Sequence, residues 1–160
     1  MKAKIAMKLS KLEGFKEPKI SLEQYMTPPE LAADILHSAY MQGDIEGKEI
    51  LDLGTGTGIF AVGAALLGAD VTAVDKDSDA LEIAEKNVER AEVSEFIEFV
   101  ESDISQVEVK YDTVLMNPPF SVHSDEGMKF LEKALESGQK VYSVIYGGRK
   151  EAIKDFVANS

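Results

Sequence analysis

The apolar residues of the chain occur in short continuous runs separated by longer amphipathic stretches. Short runs bounded by glycine, proline or charged residues are typical of strands that are covered on both faces of a sheet. They predict strands over residues 48–53, 71–74, 96–100, 111–116 and 140–146. Apolar residues three and four positions apart are typical of amphipathic helices. They predict helices over residues 3–12, 28–41, 59–67, 78–91, 126–136 and 149–158.

This alternation of strands and helices predicts an α/β fold. Strands joined by helices of about ten or more residues pair in parallel, and right-handed crossovers place helices on both faces. The result is a doubly wound, mostly parallel sheet. Ligands bind such sheets in a crevice outside the carboxyl ends of the strands, where the strand order reverses. The residues that follow each predicted strand are therefore the candidates for a site.

The helix over residues 28–41 carries a start signal in the sequence. Thr27 and Glu30 have the spacing of a capping box, in which the threonine side chain accepts a hydrogen bond from the first helical turn. Pro28 would then occupy the first helical position, where a missing N–H costs nothing.

The composition fits one soluble globular domain. The chain has 160 residues, of which 44% are hydrophobic and 29% are charged. We expect a single domain over residues 21–160, preceded by a lysine-rich N-terminal arm over residues 1–20. No apolar run approaches the roughly 20 residues that span a bilayer, and no signal peptide is recognised, so a cytoplasmic location is expected.

Charge and cysteine content narrow the possible chemistry. Residues 1–19 hold six lysines against two glutamates, whereas the rest of the chain holds 11 basic and 27 acidic side chains. A surface this acidic does not attract a phosphate backbone, so a nucleic-acid substrate would need the arm or a basic partner. The chain has no cysteine, which excludes a cysteine nucleophile. It also has no histidine cluster with metal-ligand spacing, so no metal site is predicted.

A glycine-rich loop follows the first predicted strand, at residues 52–58. Its glycines lie at every second position, so the loop is not the dinucleotide fingerprint but suits a ligand that lies against backbone. Asp52 starts the loop, which contains no basic residue, so a pyrophosphate is disfavoured. Gly54 and Gly56 would allow the close approach of a ligand that carries an amino group or a positive charge.

Two further acidic residues follow the next strands. Asp75 ends the second strand, where its carboxylate can accept both hydroxyls of a ribose. Asp103 follows the third strand; it either bonds an adenine amino group or caps the turn at residues 104–106. S-adenosylmethionine has an ammonium, a sulfonium, a ribose and an adenine, and it fits these residues better than NAD does.

The fourth strand ends at Asn117-Pro118-Pro119-Phe120. Two prolines cannot continue a sheet, so the strand stops there. The Asn117 amide oxygen and the Pro118 carbonyl can both accept hydrogen bonds from one NH2 group, and Phe120 can stack on the ring that carries it. The segment therefore suits a planar amine or amide substrate.

Together, these residues resemble the class I S-adenosylmethionine-dependent methyltransferases that act on amino groups. In that group, an Asn-Pro-Pro-aromatic segment marks methylation of a planar nitrogen: adenine N6, guanine N2 or glutamine N5. The pairing of Glu23-Gln24-Tyr25 with Asn117–Phe120 is similar to the methyltransferase-like protein five family of archaea and eukaryotes. The resemblance extends from about Leu12 to Tyr146. Members of that family methylate adenine N6 in small-subunit ribosomal RNA, and the eukaryotic ones work with a small zinc-bearing activator subunit.

The resemblance implies a role for each matching residue. The cofactor would be covered by three residues of the N-terminal part, Gln24, Tyr25 and Thr27. Its methionine part would be held by Asp52, Gly54 and Gly56, its ribose by Asp75 and its adenine by Asp103. Asn117 and Pro118 would hold the target amine, and Phe120 would stack on the target base.

The resemblance also implies the reaction and its products. A methyl group would pass from S-adenosylmethionine to adenine N6, leaving S-adenosylhomocysteine. The target adenosine must be unpaired or flipped out to enter the pocket. The alternatives are a DNA adenine N6-methyltransferase, a protein glutamine N5-methyltransferase and a non-catalytic scaffold that binds the cofactor.

One feature departs from the family pattern. Such folds usually end in a hairpin beside strand five, whereas this chain stops after the helix predicted at residues 149–158. The C-terminal hairpin is therefore expected to be absent, because either the sequence is incomplete or another element finishes the sheet. An exposed edge of strand five is the expected consequence.

Overall fold

A computed structural model describes residues 1–14, 27–118, 125–147 and 150–157, with side chains up to residue 144. Within these residues the chain alternates helices and strands, as the hydrophobic pattern predicts. The helices are α1 (Lys2–Leu9), α2 (Pro29–Met41), α3 (Ile59–Leu66), α4 (Ser78–Arg90) and α5 (Asp125–Ser137). The strands are β1 (Glu49–Leu53), β2 (Asp70–Asp75), β3 (Ile97–Glu101), β4 (Tyr111–Met116), β5 (Gly138–Gly147) and β6 (Lys150–Val157).

The strands form one sheet in the order β3-β2-β1-β4-β5-β6. The first five run parallel, and β6 is antiparallel to β5. The predicted doubly wound sheet is therefore confirmed. Leu53, the last residue of β1, pairs with Val74 on β2 and Met116 on β4. This register brings the residues that follow β1, β2 and β4 to one crevice, where the strand order reverses.

The two faces of the sheet bury separate apolar clusters. Alternate residues of β1 point to opposite faces, so Ile50 joins the cluster under α1, α2 and α3, whereas Leu51 and Leu53 join the cluster under α5. The first helix belongs to this core, because Ile5 and Leu9 are buried in the first cluster. The boundary predicted between residues 20 and 21 lies outside the described residues.

The C-terminal segment differs from its prediction. Residues 149–158 were expected to form a helix, but Lys150–Val157 form β6, which pairs along β5 from Gly147↔Lys150 to Lys140↔Val157. The predicted helix is wrong, and so is the expected exposed edge of strand five. Local spacing of Ile153 and Val157 suits a helix, but an unpaired strand edge offers a row of backbone donors and acceptors that a second strand satisfies.

No helix among the described residues is long and apolar enough to cross a membrane.

Candidate functional site

The glycine loop turns sharply as it leaves β1. Gly54 has a φ of +75° and Gly58 a φ of +86°, which residues with a Cβ rarely adopt. The N–H groups of Gly54 and Thr55 both donate to the carbonyl of Val74 at 2.8 Å, so the loop is fixed to the end of β2. A Cβ added at Gly54 would lie 2.9 Å from Cε1 of Phe130. Gly54 therefore has no room for a side chain, because the Phe130 ring packs against its backbone.

The buried Asp52 fixes this loop through hydrogen bonds. Its Oδ2 accepts hydrogen bonds from Thr55 Oγ1 at 2.6 Å and from the N–H of Ala61 at 3.1 Å. The side chain is only 1% exposed. Burial raises the pKa of Asp52 to about 7, against the opposing effect of these two donors, and the charge of Asp75 raises it further. Asp52 thus joins the loop to α3, and its contact with the methionine part of a cofactor stays a prediction.

Asp75 lies at the end of β2 and faces the loop. Its Oδ2 accepts from the N–H of Gly56 at 2.8 Å, and its Oδ1 accepts from the N–H of Asp77 at 2.9 Å. Burial raises the pKa of Asp75, and these donors oppose the shift. The residue is half-buried. Because each carboxylate oxygen can accept a second hydrogen bond, both remain suited to ribose hydroxyls.

Asp103 caps a short turn on the rim of the crevice. Its Oδ1 accepts from the N–H of Ser105 at 2.9 Å, at the start of the 3₁₀ turn Ile104–Gln106. Hydrogen bonds from Ser105 hold the pKa of Asp103 below its ordinary value. The capping alternative is therefore observed. A bond from its exposed carboxylate to an adenine amino group stays a prediction.

Asn117 is oriented by a residue from the other end of the chain. Its Nδ2 donates to Thr27 Oγ1 at 2.9 Å, and Thr27 is 4% exposed. The capping box predicted for Thr27 is wrong, since α2 starts at Pro29 and its N-cap is Pro28, with no side-chain hydrogen bond. Thr27 lies one residue too early to cap the helix. Its hydroxyl instead fixes the Asn117 amide next to the buried Pro118.

The structure brings most of the predicted residues to one crevice. The loop residues, Asp75 and Asn117 lie at the ends of the neighbouring strands β1, β2 and β4, and Asp103 follows β3. Thr27 precedes α2 and joins them through its bond to Asn117. Gln24, Tyr25 and Phe120 lie outside the described residues, so their predicted contacts stay predictions.

Two residues at this site were missed by the sequence reasoning. Phe130 lies against Gly54 but occupies an ordinary apolar position on an amphipathic helix, which carries no distinguishing signal. Asn87 is buried on α4 and bonds the loop at Thr57. A polar residue on the apolar face of a predicted helix was the signal that could have identified it. Among the described residues, no group of three or more His, Cys, Asp or Glu is arranged to hold a metal ion.

The residues of the crevice fit S-adenosylmethionine. The Phe130 ring fills the space that a Cβ of Gly54 would need, so a contact between the Gly54 backbone and the cofactor stays a prediction. Asp75 supplies two acceptors at the end of β2. Residues 52–58 contain no basic side chain, so a cationic nucleoside suits the site better than a pyrophosphate does.

The chain is similar to known methyltransferases over most of its length. A family model for the methyltransferase small domain matches residues 30–144. The rRNA N(6)-adenosine-methyltransferase METTL5 of Danio rerio is 38% identical over 157 residues, covering 93% of this chain and 74% of the relative. The rRNA N(6)-adenosine-methyltransferase Mettl5 of Drosophila melanogaster is 42% identical over 155 residues, covering 86% and 72%. A crystal structure of a proposed RNA methyltransferase from Pyrococcus horikoshii superposes with a TM-score of 0.84 at 43% identity, covering 89% of this chain and 72% of that one.

Proposed function

The chain belongs to the methyltransferase small domain family, and we propose that it methylates the N6 amino group of an unpaired or flipped-out adenosine in RNA. S-adenosylmethionine is the methyl donor. Small-subunit rRNA is the proposed substrate, since the relatives from Danio rerio and Drosophila melanogaster are named rRNA N6-adenosine methyltransferases. The observation that carries the proposal is the bond from Asn117 to Thr27, which fixes the amide at the end of β4.

The amide orientation suits a target that donates hydrogen bonds. Because Asn117 uses Nδ2 as the donor to Thr27, its Oδ1 is left as an acceptor, and no described residue donates to it. The Pro118 carbonyl offers a second acceptor next to it. These two oxygens would accept one hydrogen bond each from an exocyclic NH2 group.

These two acceptors would also promote the reaction. The lone pair of adenine N6 is delocalised into the ring and is a poor nucleophile. Asn117 and Pro118 would stabilise the tetrahedral, positively charged nitrogen of the transition state more than the planar amine. When bound, S-adenosylmethionine supplies a methyl group on a positively charged sulfur. The product ammonium is acidic enough to lose its proton to water.

The cofactor would lie along the glycine loop. Asp75 would accept from the ribose hydroxyls and Asp103 from the adenine amino group. Asp52 would keep the loop in position from beneath through Thr55 and Ala61. Gln24 and Tyr25 would close over the cofactor, and Phe120 would stack on the target base.

Incubation with labelled S-adenosylmethionine and separate rRNA, DNA and protein fractions tests the proposal. We expect label in rRNA, recovered as N6-methyladenosine after digestion, and labelling on the order of 100-fold slower with Asn117→Ala. Label in DNA or in glutamine would support the corresponding alternative enzyme. Cofactor binding without transfer to any fraction would support a scaffold.

The acidic surface bears on the partners of the enzyme. The net charge of −12 opposes unaided binding to RNA. From the resemblance to the methyltransferase-like protein five family, we also propose that a small zinc-bearing activator subunit assists the chain, and that the complex acts in the cytoplasm. Co-expression with and without such a subunit, followed by rRNA methylation assays, tests the first of these.

A further inference from the structure

Asn87 joins two segments of the chain that are far apart in sequence. Its Nδ2 donates to the carbonyl of Thr57 in the glycine loop at 2.8 Å and to the carbonyl of Glu13 at 2.9 Å. Its Oδ1 accepts from the N–H of Glu13 at 2.8 Å. One amide side chain thus binds both backbone groups of Glu13 and one backbone group of the loop.

This bonding pattern requires an amide. Asn87 is 0% exposed, so water cannot replace a lost partner, and each unsatisfied buried group is costly. An aspartate would supply an acceptor for the Glu13 N–H but no donor for the two carbonyls. A leucine of similar size would supply neither.

Neighbouring positions of α4 contact the same two segments. Ala84, three residues before Asn87, supports the loop, since a Cβ added at Gly58 would lie 3.1 Å from the Ala84 Cβ. Arg90, three residues after Asn87, donates from Nη1 to the carbonyl of Lys11 at 3.3 Å. Positions three apart lie on one face of a helix. That face of α4 therefore contacts the loop at one end and the segment after α1 at the other.

We propose that Asn87 is a positioning residue that couples the glycine loop to the segment after α1, which contains Lys11 and Glu13. A cofactor that fixes the loop would strengthen the attachment of Glu13, and a loosened Glu13 would weaken cofactor binding by the same factor, because such coupling is reciprocal. The proposal rests on the proposed function only through the binding of S-adenosylmethionine to the loop.

Two substitutions of Glu13 give the sharpest test, because Asn87 binds only the backbone of this residue. Glu13→Pro removes the N–H that donates a hydrogen bond to Asn87 Oδ1, whereas Glu13→Ala keeps this N–H. Neither substitution touches the loop. Calorimetric titration with S-adenosylmethionine should show affinity about tenfold lower for Glu13→Pro and unchanged for Glu13→Ala. Equal affinities of the two variants would overturn the proposal.

Asn87 itself is tested against a matched helix variant. Val88→Ala also removes buried contacts on α4 but no hydrogen bond, so it controls for a loss of stability. We expect Asn87→Leu to lower cofactor affinity at a temperature where both variants remain folded, and Val88→Ala to leave it unchanged. If Asn87→Leu does not fold, the Glu13 pair still decides the question.

Hydrogen exchange supplies a readout that a merely structural role would not change. Addition of S-adenosylmethionine to the wild type should slow amide exchange in peptides containing Glu13 as well as in those containing Thr57. In Glu13→Ala this response should persist. Protection confined to the loop would contradict the coupling. A wild type that binds the cofactor but methylates no RNA would overturn the proposed substrate and leave this test intact.

Discussion

Asn117 Nδ2 donates a hydrogen bond to Thr27 Oγ1 at 2.9 Å, joining the end of β4 to the residue two positions before α2. The bond decides which end of the Asn117 amide is left for a ligand. With the nitrogen engaged, the oxygen is the group available to a substrate amine. The methyl-accepting side of the site is therefore set by a contact between residues 90 positions apart.

Asn117→Ala should lose most methyl transfer and keep cofactor binding. The variant lacks the acceptor that stabilises the developing charge, which is expected to lower kcat on the order of 100-fold or more. Single-turnover methylation and calorimetry measure the two properties separately. Turnover close to that of the wild type would remove Asn117 from the mechanism.

Thr27→Val should lower turnover without changing the core. Valine has nearly the same shape but cannot accept from Asn117, and one lost hydrogen bond is worth about 1 kcal/mol, or roughly fivefold in rate. Thr27→Ser keeps the hydroxyl and should behave like the wild type. The comparison of kcat for the two variants checks the orienting role; equal rates would contradict it.

Asp75→Ala should weaken cofactor binding. It removes the acceptor for the Gly56 N–H as well as the expected ribose contacts, and loss of a charged hydrogen-bond partner lowers affinity by about tenfold to a hundredfold. Calorimetric titration with S-adenosylmethionine measures the change. Asp75→Asn retains one acceptor and should fall between the alanine variant and the wild type. Unchanged affinity in Asp75→Ala would place the cofactor elsewhere.

Asp52 should make stability depend on pH. Its pKa is raised from 3.8 to about 7 in the folded chain, because the folded chain favours the protonated carboxyl. The contribution of Asp52 to the free energy of unfolding is therefore complete below about pH 4 and is lost as pH rises through 7. Asp52→Asn removes this titration and keeps an oxygen acceptor for Thr55. Urea unfolding at pH 4.5, 6 and 7.5 should show the variant gaining stability relative to the wild type, by about 3 kcal/mol between the lowest and the highest pH. Parallel stability curves would show that the carboxylate does not titrate there.

Gly54→Ala should lower the free energy of unfolding more than Gly43→Ala does. Both residues have a positive φ, but a Cβ at Gly43 meets nothing within 4 Å, whereas one at Gly54 lies 2.9 Å from Phe130. Gly43→Ala therefore measures the backbone strain alone, about 1 kcal/mol. The additional loss in Gly54→Ala reports the contact, and a second change, Phe130→Leu, should recover part of it. Equal free energies of unfolding for the two alanine variants would mean that the Phe130 ring moves aside freely.

The local pattern of the sequence was sufficient to predict the parallel sheet and the site residues that follow its strands. The central strands β1 and β4 appear in the sequence as short apolar runs because their residues are buried on both faces, and a glycine or proline segment follows each of them. A parallel sheet then places the ends of β1, β2 and β4 at the same edge. The loop at Gly54, the acceptor at Asp75 and the strand end at Asn117 follow from those two facts.

Contacts between distant segments were decided only by the tertiary structure. Residues 150–157 have a helical spacing of apolar positions, yet the free edge of β5 pairs with them as a strand. Thr27 matches a helix cap in sequence, yet its hydroxyl bonds Asn117. Asn87 looks like one polar position on a helix, yet it joins Glu13 to Thr57. Thr27 and Asn87 bond partners far along the chain, about which local spacing carries no information. Residues 150–157 pair with the strand just before them, because its edge offers unpaired backbone groups.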